Sequence, residues 1–204
     1  MANQDAAFGF KPVRHLSGNI QTEEFAIANN YGTSIFTGQV VEAVTAGGIE
    51  AAAAGDVQQL GVFAGVFFTD PSTSKPTFKA FYPASTAAAD TVASVYADPN
   101  IIFEVQRDGT GTAAMNHGGF DFVGVAGSTI SGQSTQELDT STVTTSGGFK
   151  QIGISKDPDN SDTGSANANA YVKFNTGEHV FTLTTAIAES NRRLNYGNIT
   201  STTS

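Results

Sequence analysis

The chain predicts a mainly β fold: a single β-sandwich or β-barrel-like domain with an extended N-terminal arm and little helix. Three observations predict it. β-branched and aromatic residues come in short runs, glycine, proline and Asn/Asp clusters cut those runs mostly every 8–12 residues or so, and no stretch carries a clear amphipathic helical stripe. With 204 residues, 39% of them hydrophobic, the chain can bury a core without a metal or disulfide staple. By this pattern it divides into an arm over 1–22, a β-rich domain over 23–184 and a tail over 185–204.

The arm, MANQDAAFGFKPVRHLSGNIQT, mixes Phe8, Phe10, Pro12 and Leu16 with polar spacers at no clear period. A frayed terminus has no folding reason to carry two phenylalanines and a leucine, so the arm is also a candidate anchor on a neighbouring subunit. Strands are then expected at 23–29, 34–44, 48–53, 58–69, 77–82 and 91–97, and further on at 101–107, 120–126, 149–156, 170–175 and 179–184. Between them, GTAAMNHGG (111–119) has room for one helical turn. The segment 127–148 is nearly free of bulky groups and reads as a polar hairpin or exposed loop, because it lacks apolar area to offset its ordering entropy. The stretch 185–194 is compatible with helix but shows no stripe.

Ten basic residues against nineteen acidic ones give a formal charge of −9, the wrong sign for neutralising phosphates, so nucleic acid is not an expected partner. No run of about 18 apolar residues occurs to span a membrane, and the opening has no apolar stretch behind a basic cluster to read as a signal peptide. A soluble product made in a cytoplasm is expected. Cysteine is absent, which removes disulfides, thiolate nucleophiles and cysteine-ligated zinc. Charged residues make up only 14%, against a usual share of about 25%, and a surface of small neutral groups suits contact with other protein.

Candidate chemistry is sparse. His15, His117 and His179 are isolated in sequence, with no G-x-S-x-G elbow and no H-E-x-x-H pair, and each reads as a surface or turn residue. In DPDNSDTG, Asp157, Asp159, Ser161 and Asp162 resemble the first half of a calcium loop. Asp162 stands where the loop needs glycine, however, and Ala168 where it needs a bidentate glutamate, so a solvated turn is favoured. Glu50, Glu104, Asp121 and Glu137 are scattered acids, and Trp is absent from any sugar platform. No enzyme, no cofactor and no metal site is expected.

The aromatic hairpin LGVFAGVFFTDPSTSKPTFKAFYP (60–83) is the densest apolar feature. Strict alternation puts Val62, Ala64, Val66 and Phe68 on one face of its first strand and Phe63, Gly65 and Phe67 on the other. On the second strand Phe78, Ala80 and Tyr82 share a face, opposite Lys79 and Phe81. Neither face of the first strand is polar, so one is expected in the domain core and the other at a subunit interface. Pro71 and Pro76 stiffen the connector, and Asp70 and Lys75 flank its tip as a possible pair.

The opening MANQDAAFGFKPV, the hairpin, VYADPNIIFEVQ (95–106) and ISKDPDNSD (154–162) together resemble a group of small structural proteins of tailed bacteriophages, frequent in marine and cyanobacterial podovirus-type phages. The resemblance covers most of the chain to about residue 182. It implies a virion component, a head decoration or cement protein on the outer capsid surface. The implied partners are the major capsid protein and further copies of itself, with a trimer favoured. In that setting Phe8, Phe10 and Pro12 become candidate anchors of the arm, and Phe63, Phe67, Phe81 and Tyr82 candidate oligomer contacts. The alternative is a tail- or fibre-associated adhesin that binds the host surface, for which the 157–162 loop would need to hold a cation.

Overall fold

A computed structural model describes residues 3–55, 59–112, 115–124, 127–141, 143 and 147–182. The tail and the helix-compatible stretch 185–194 lie outside the described residues. In chain order the strands are β1 (Lys11–Arg14), β2 (Glu23–Ala26), β3 (Ile35–Phe36), β4 (Val40–Val44), β5 (Gly48–Ala51), β6 (Gln59–Thr69), β7 (Pro76–Lys79) and β8 (Phe81–Tyr82). They continue with β9 (Val92–Tyr96), β10 (Ile102–Gln106), β11 (Gly119–Phe120), β12 (Phe122–Val123), β13 (Glu137–Leu138), β14 (Phe149–Ile154) and β15 (Asn169–Phe174). The mainly β expectation holds.

Two antiparallel sheets make the body. The first runs β1-β10-β15-β14-β11; the second runs β2-β9-β6-β4-β5, with β7 pairing the far half of β6. The second sheet curls until Ile27, just past β2, forms a parallel bridge with Ile49 of β5, so its two ends meet. Its concave side encloses one hydrophobic cluster, built around Phe63, Val66, Phe68, Tyr82 and Val95. A second cluster lies against the first sheet, where Phe103, Phe149, Val172 and Phe174 pack with Val40 and Val62 from β4 and β6.

β6 belongs to both clusters because its alternation is broken twice. Opposite β4, Gly61 pairs with Val41 but Gln59 with Glu42, leaving Leu60 extra. Opposite β9, Phe63 pairs with Val95 but Gly65 with Ser94, leaving Ala64 extra. Each bulge shifts the pleat by one residue. Hence Leu60, Phe63, Val66 and Phe68 all enter the curled-sheet cluster, while Val62 alone enters the other. This corrects the strict alternation expected from the sequence, in which Val62, Val66 and Phe68 shared a face.

The expected arm is part of the body. β1 pairs antiparallel with β10, Lys11 opposite Glu104 and Pro12 opposite Phe103. Before it, the Ala6 amide donates to Gln106 Oε1 at 2.9 Å, and Gln106 Nε2 donates to the Gln4 carbonyl at 2.8 Å. Gly9 adopts φ +73°, and a Cβ there would stand 2.6 Å from the Gly38 carbonyl oxygen, so only glycine lets the two backbones cross. That crossing delivers Phe10 into the core, stacked on Phe149 with ring centres 4.3 Å apart.

The polar segment 127–148 is no free loop where it is described. Ser134, Gln136 and Leu138 are buried, Leu138 within the core beside the first sheet. Hydrogen bonds replace the missing apolar area: Ser134 N donates to the Thr37 carbonyl at 2.9 Å, and the Val40 amide donates to Gln136 Oε1 at 2.8 Å. The expected strand at 179–184 is reduced to a single bridge between His179 and Gln59, with 183–184 outside the described residues.

Phe10 has 1% of its surface exposed, so Phe10→Ala is expected to cost about 3–5 kcal/mol of unfolding free energy in a urea titration. A loss below about 1 kcal/mol would mean that the segment does not dock in this way.

Candidate functional site

The sheet that closes around one core leaves part of its convex side uncovered. Ala26 on β2 stands opposite Val92 on β9, Val92 opposite Phe67 on β6, and Phe67 opposite Phe78 on β7. Directly paired residues of antiparallel strands share a face, so these four side chains form one apolar row across four strands. Phe67 is 47% exposed and Phe78 63% exposed. A Cβ on Gly65 would lie 2.5 Å from Cζ of Phe78, so the glycine lets that ring lie flat over the strand. On one side the row is flanked by the Thr69–Pro76 pair, and on the other by Ser94 and Glu24.

The connector beyond the row is a hydrogen-bonded turn. The Asp70 amide donates to the Lys75 carbonyl at 2.9 Å, while the Asp70 carboxylate accepts from the amides of Ser72 at 2.8 Å and Thr73 at 3.3 Å. Asp70 and Lys75 thus meet through their backbones, and the acid caps its own turn. At the strand end, the Asp90 carboxylate accepts from the Thr69 hydroxyl and amide, which holds it below the usual carboxylate range.

The structure divides the candidate interface residues. Phe67 is exposed, and Phe8, Pro12 and Phe81 are half-buried. Phe10, Phe63 and Tyr82 are fully buried in the chain's own cores, which corrects the expectation that they reach a neighbour. Phe78 and Tyr82 were expected on one face. The chain bends at Ala80, leaving Phe78 outside and Tyr82 inside, and Phe81 stacks on Phe36 at 5.6 Å.

The other candidates resolve as follows. In the 157–162 loop, Asp157 Oδ1 accepts from the Asp159 amide at 3.1 Å, and the Asp162 carboxylate accepts from the Gly164 amide and the Ser165 hydroxyl. Buried Asn160 donates to the carbonyls of Gln4 and Asn167, and Asn3 ties down Asp162, so the loop is a turn network strapped by the N-terminal segment. Among the described residues no three His, Asp or Glu side chains gather as metal ligands would. His117 sits in a left-handed turn conformation.

His179, expected at the surface, is fully buried with its ring 4.7 Å from that of Phe174. Its Nδ1 accepts from the Phe181 amide at 3.2 Å; among the described residues Nε2 makes no aligned hydrogen bond, although the Leu60 and Ala97 backbones favour the protonated ring. Burial pushes its pKa down to about 4. Arg107 is likewise without solvent contact, lying against Gly111. Its Nη2 donates to the Thr163 carbonyl at 3.2 Å, but Nε and Nη1 have no acceptor among the described residues, and burial lowers its pKa.

One polar cleft, of about 160 Å³, is lined by His15, Ser17, Asn19, Gln21, Glu23, Asp98 and Ile101. There His15 Nδ1 lies 2.5 Å from Ser17 Oγ, and Nε2 lies 3.1 Å from Asp98 Oδ2. This grouping is not among the candidates that the sequence offers. Its one local signal is the His-x-Ser spacing, since Asp98 arrives from the end of β9.

No family model, curated protein or solved structure matches the chain.

Burial of these two basic side chains has measurable consequences. The folded-state pKa of His179 is depressed, so the unfolded chain takes up the proton first as pH falls below about 6.5. Stability is therefore full above that pH and is lost as pH falls towards about 4, by about 3 kcal/mol in all. His179→Asn, which keeps an acceptor for Phe181, is expected to remove that loss in urea titrations between pH 7 and pH 4. Arg107→Met is expected to raise unfolding free energy by about 1–2 kcal/mol, because an apolar side chain leaves no buried charge unpaired. A destabilised Met variant would reveal an acceptor for the guanidinium beyond the Thr163 carbonyl.

Proposed function

We propose that the chain is a virion structural protein, a capsid decoration or cement protein that binds the outer surface of a tailed-phage head and stabilises contacts between capsomers. The observation that carries this reading is the uncovered row Ala26–Val92–Phe67–Phe78, which sits on a sheet whose opposite side is a packed core. Two exposed phenylalanines on a rigid support lose little side-chain freedom on contact and give much apolar area, as the central residues of protein interfaces do. Phe67 and Phe78 lie within the hairpin, one of the segments that carry the phage resemblance. The proposed partners are the major capsid protein and further copies of the chain, with a trimer favoured.

The mechanism is physical. A subunit that binds only the mature lattice stabilises that lattice by mass action, and many copies on one shell add avidity. The low charge density of the chain lowers the desolvation cost of such contacts. The adhesin alternative draws no support from the 157–162 loop, in which the Asp157 and Asp162 carboxylates accept from their own turns.

The test is co-sedimentation of purified protein with expanded phage heads, alongside its oligomeric state by light scattering. The double variant Phe67→Ser, Phe78→Ser removes exposed rings, so it is expected to keep its unfolding midpoint while losing roughly thirtyfold or more in head affinity. Equal binding by the variant and the wild type would reject this face, and a wild-type monomer that never binds heads would reject the function.

A further inference from the structure

The geometry points to a second, chemical activity, independent of the apolar row: Ser17 is a nucleophile activated by His15, in a site that hydrolyses small uncharged or cationic carboxylic esters. The tautomer of His15 follows from its partners. The Ser17 amide can only donate, and it donates to His15 Nδ1 at 3.1 Å, so Nδ1 is the unprotonated nitrogen and the ring proton is on Nε2. The Ser17 hydroxyl, 2.5 Å from the same Nδ1, is then the donor of that contact, which is the arrangement a general base needs.

Asp98 completes the group. One carboxylate oxygen accepts from the Asn100 amide at 2.8 Å and from its side-chain amide at 3.2 Å; the other lies 3.1 Å from His15 Nε2, off the line of a hydrogen bond. It therefore acts as a held negative charge beside the ring, stabilising the imidazolium that forms when Nδ1 takes the serine proton. Asp98 is a positioning residue, whereas Ser17 and His15 touch the reacting atoms.

Ser17 is exposed on a turn closed by the Gly18 amide donating to the His15 carbonyl at 3.0 Å, and it lines the polar cleft. Asn19 and Gln21 bring neutral amides to that wall, groups able to donate to an oxyanion. Asp98 and Glu23 line the same cleft on a chain of net charge −9, which disfavours anionic substrates. About 160 Å³ admits only a small acyl group.

The step balances with water as the co-reactant. Ser17 Oγ bonds to the acyl carbon as its proton passes to His15 Nδ1; the ester C–O bond breaks, and the leaving alkoxide takes that proton. Water then attacks the acyl-serine, giving one proton to His15 and returning it to the serine oxygen as the acid departs.

The test uses the full chain with p-nitrophenyl acetate as substrate and an alkyl fluorophosphonate as covalent probe. Expected are a single modified residue, Ser17, found by peptide mass, and hydrolysis that falls roughly a hundredfold in Ser17→Ala and in His15→Phe. Asp98→Asn is expected to lower kcat about tenfold with KM unchanged, a split that a turn-capping role would not produce. Absence of labelling, labelling elsewhere, or full hydrolysis by Ser17→Ala would overturn the proposal. Because Ser17 is exposed, that variant keeps the fold whatever happens to His15→Phe.

Discussion

The double use of β6 is the constraint on which the rest of the structure depends. A strand of eleven residues with strict alternation has two faces, and a chain of this composition would bury both along its whole length. Bulges at Leu60 and Ala64 change that outcome. They keep Leu60, Phe63, Val66 and Phe68 on the concave side, give Val62 to the second core, and leave Phe67 pointing outwards. The two cores and the uncovered row are thus consequences of the same two extra residues. Neither core nor row survives a change of register in β6.

Around that strand, polar side chains do much of the joining. Gln106 clasps the N-terminal segment, Gln136 satisfies an amide of β4, and Asn160 ties the 157–162 loop to Gln4 and Asn167. A buried carboxamide has both donors and an acceptor, so it can join segments that supply little apolar area. This explains how a chain so rich in Ser, Thr, Asn and Gly holds long irregular connections. The same economy leaves weak points at His179 and Arg107, basic groups buried with ring or guanidinium nitrogens that make no aligned hydrogen bond among the described residues. Groups of that kind cost stability, so the cores must supply it elsewhere.

The outer row and the polar cleft differ in kind. The row needs only rigidity and exposed area, which a sheet with a packed reverse side provides. The cleft depends on the placement of single atoms: a histidine whose tautomer is set by a backbone amide, a serine two residues on, and an acid from the end of β9. One is a property of a surface, the other of three side chains.

The residues themselves determined the β class, nearly all the strand positions and the absence of thiol chemistry, because period-two runs between turn-forming residues are local signals. β1 and β13 escaped, since KPVR and EL are too short and polar to register, and they are strands only because β10 and β12 offer them an edge. Only the tertiary structure decided which aromatics face outwards. Phe63 and Phe67 share a parity in the sequence, yet a bulge between them sends one to the core and the other to solvent. Phe10 looked like a free anchor because nothing local shows that Gly9 can cross Gly38. His15 and Asp98 are far apart in the chain, and their meeting, like the burial of His179, is a product of long-range packing that no local pattern encodes.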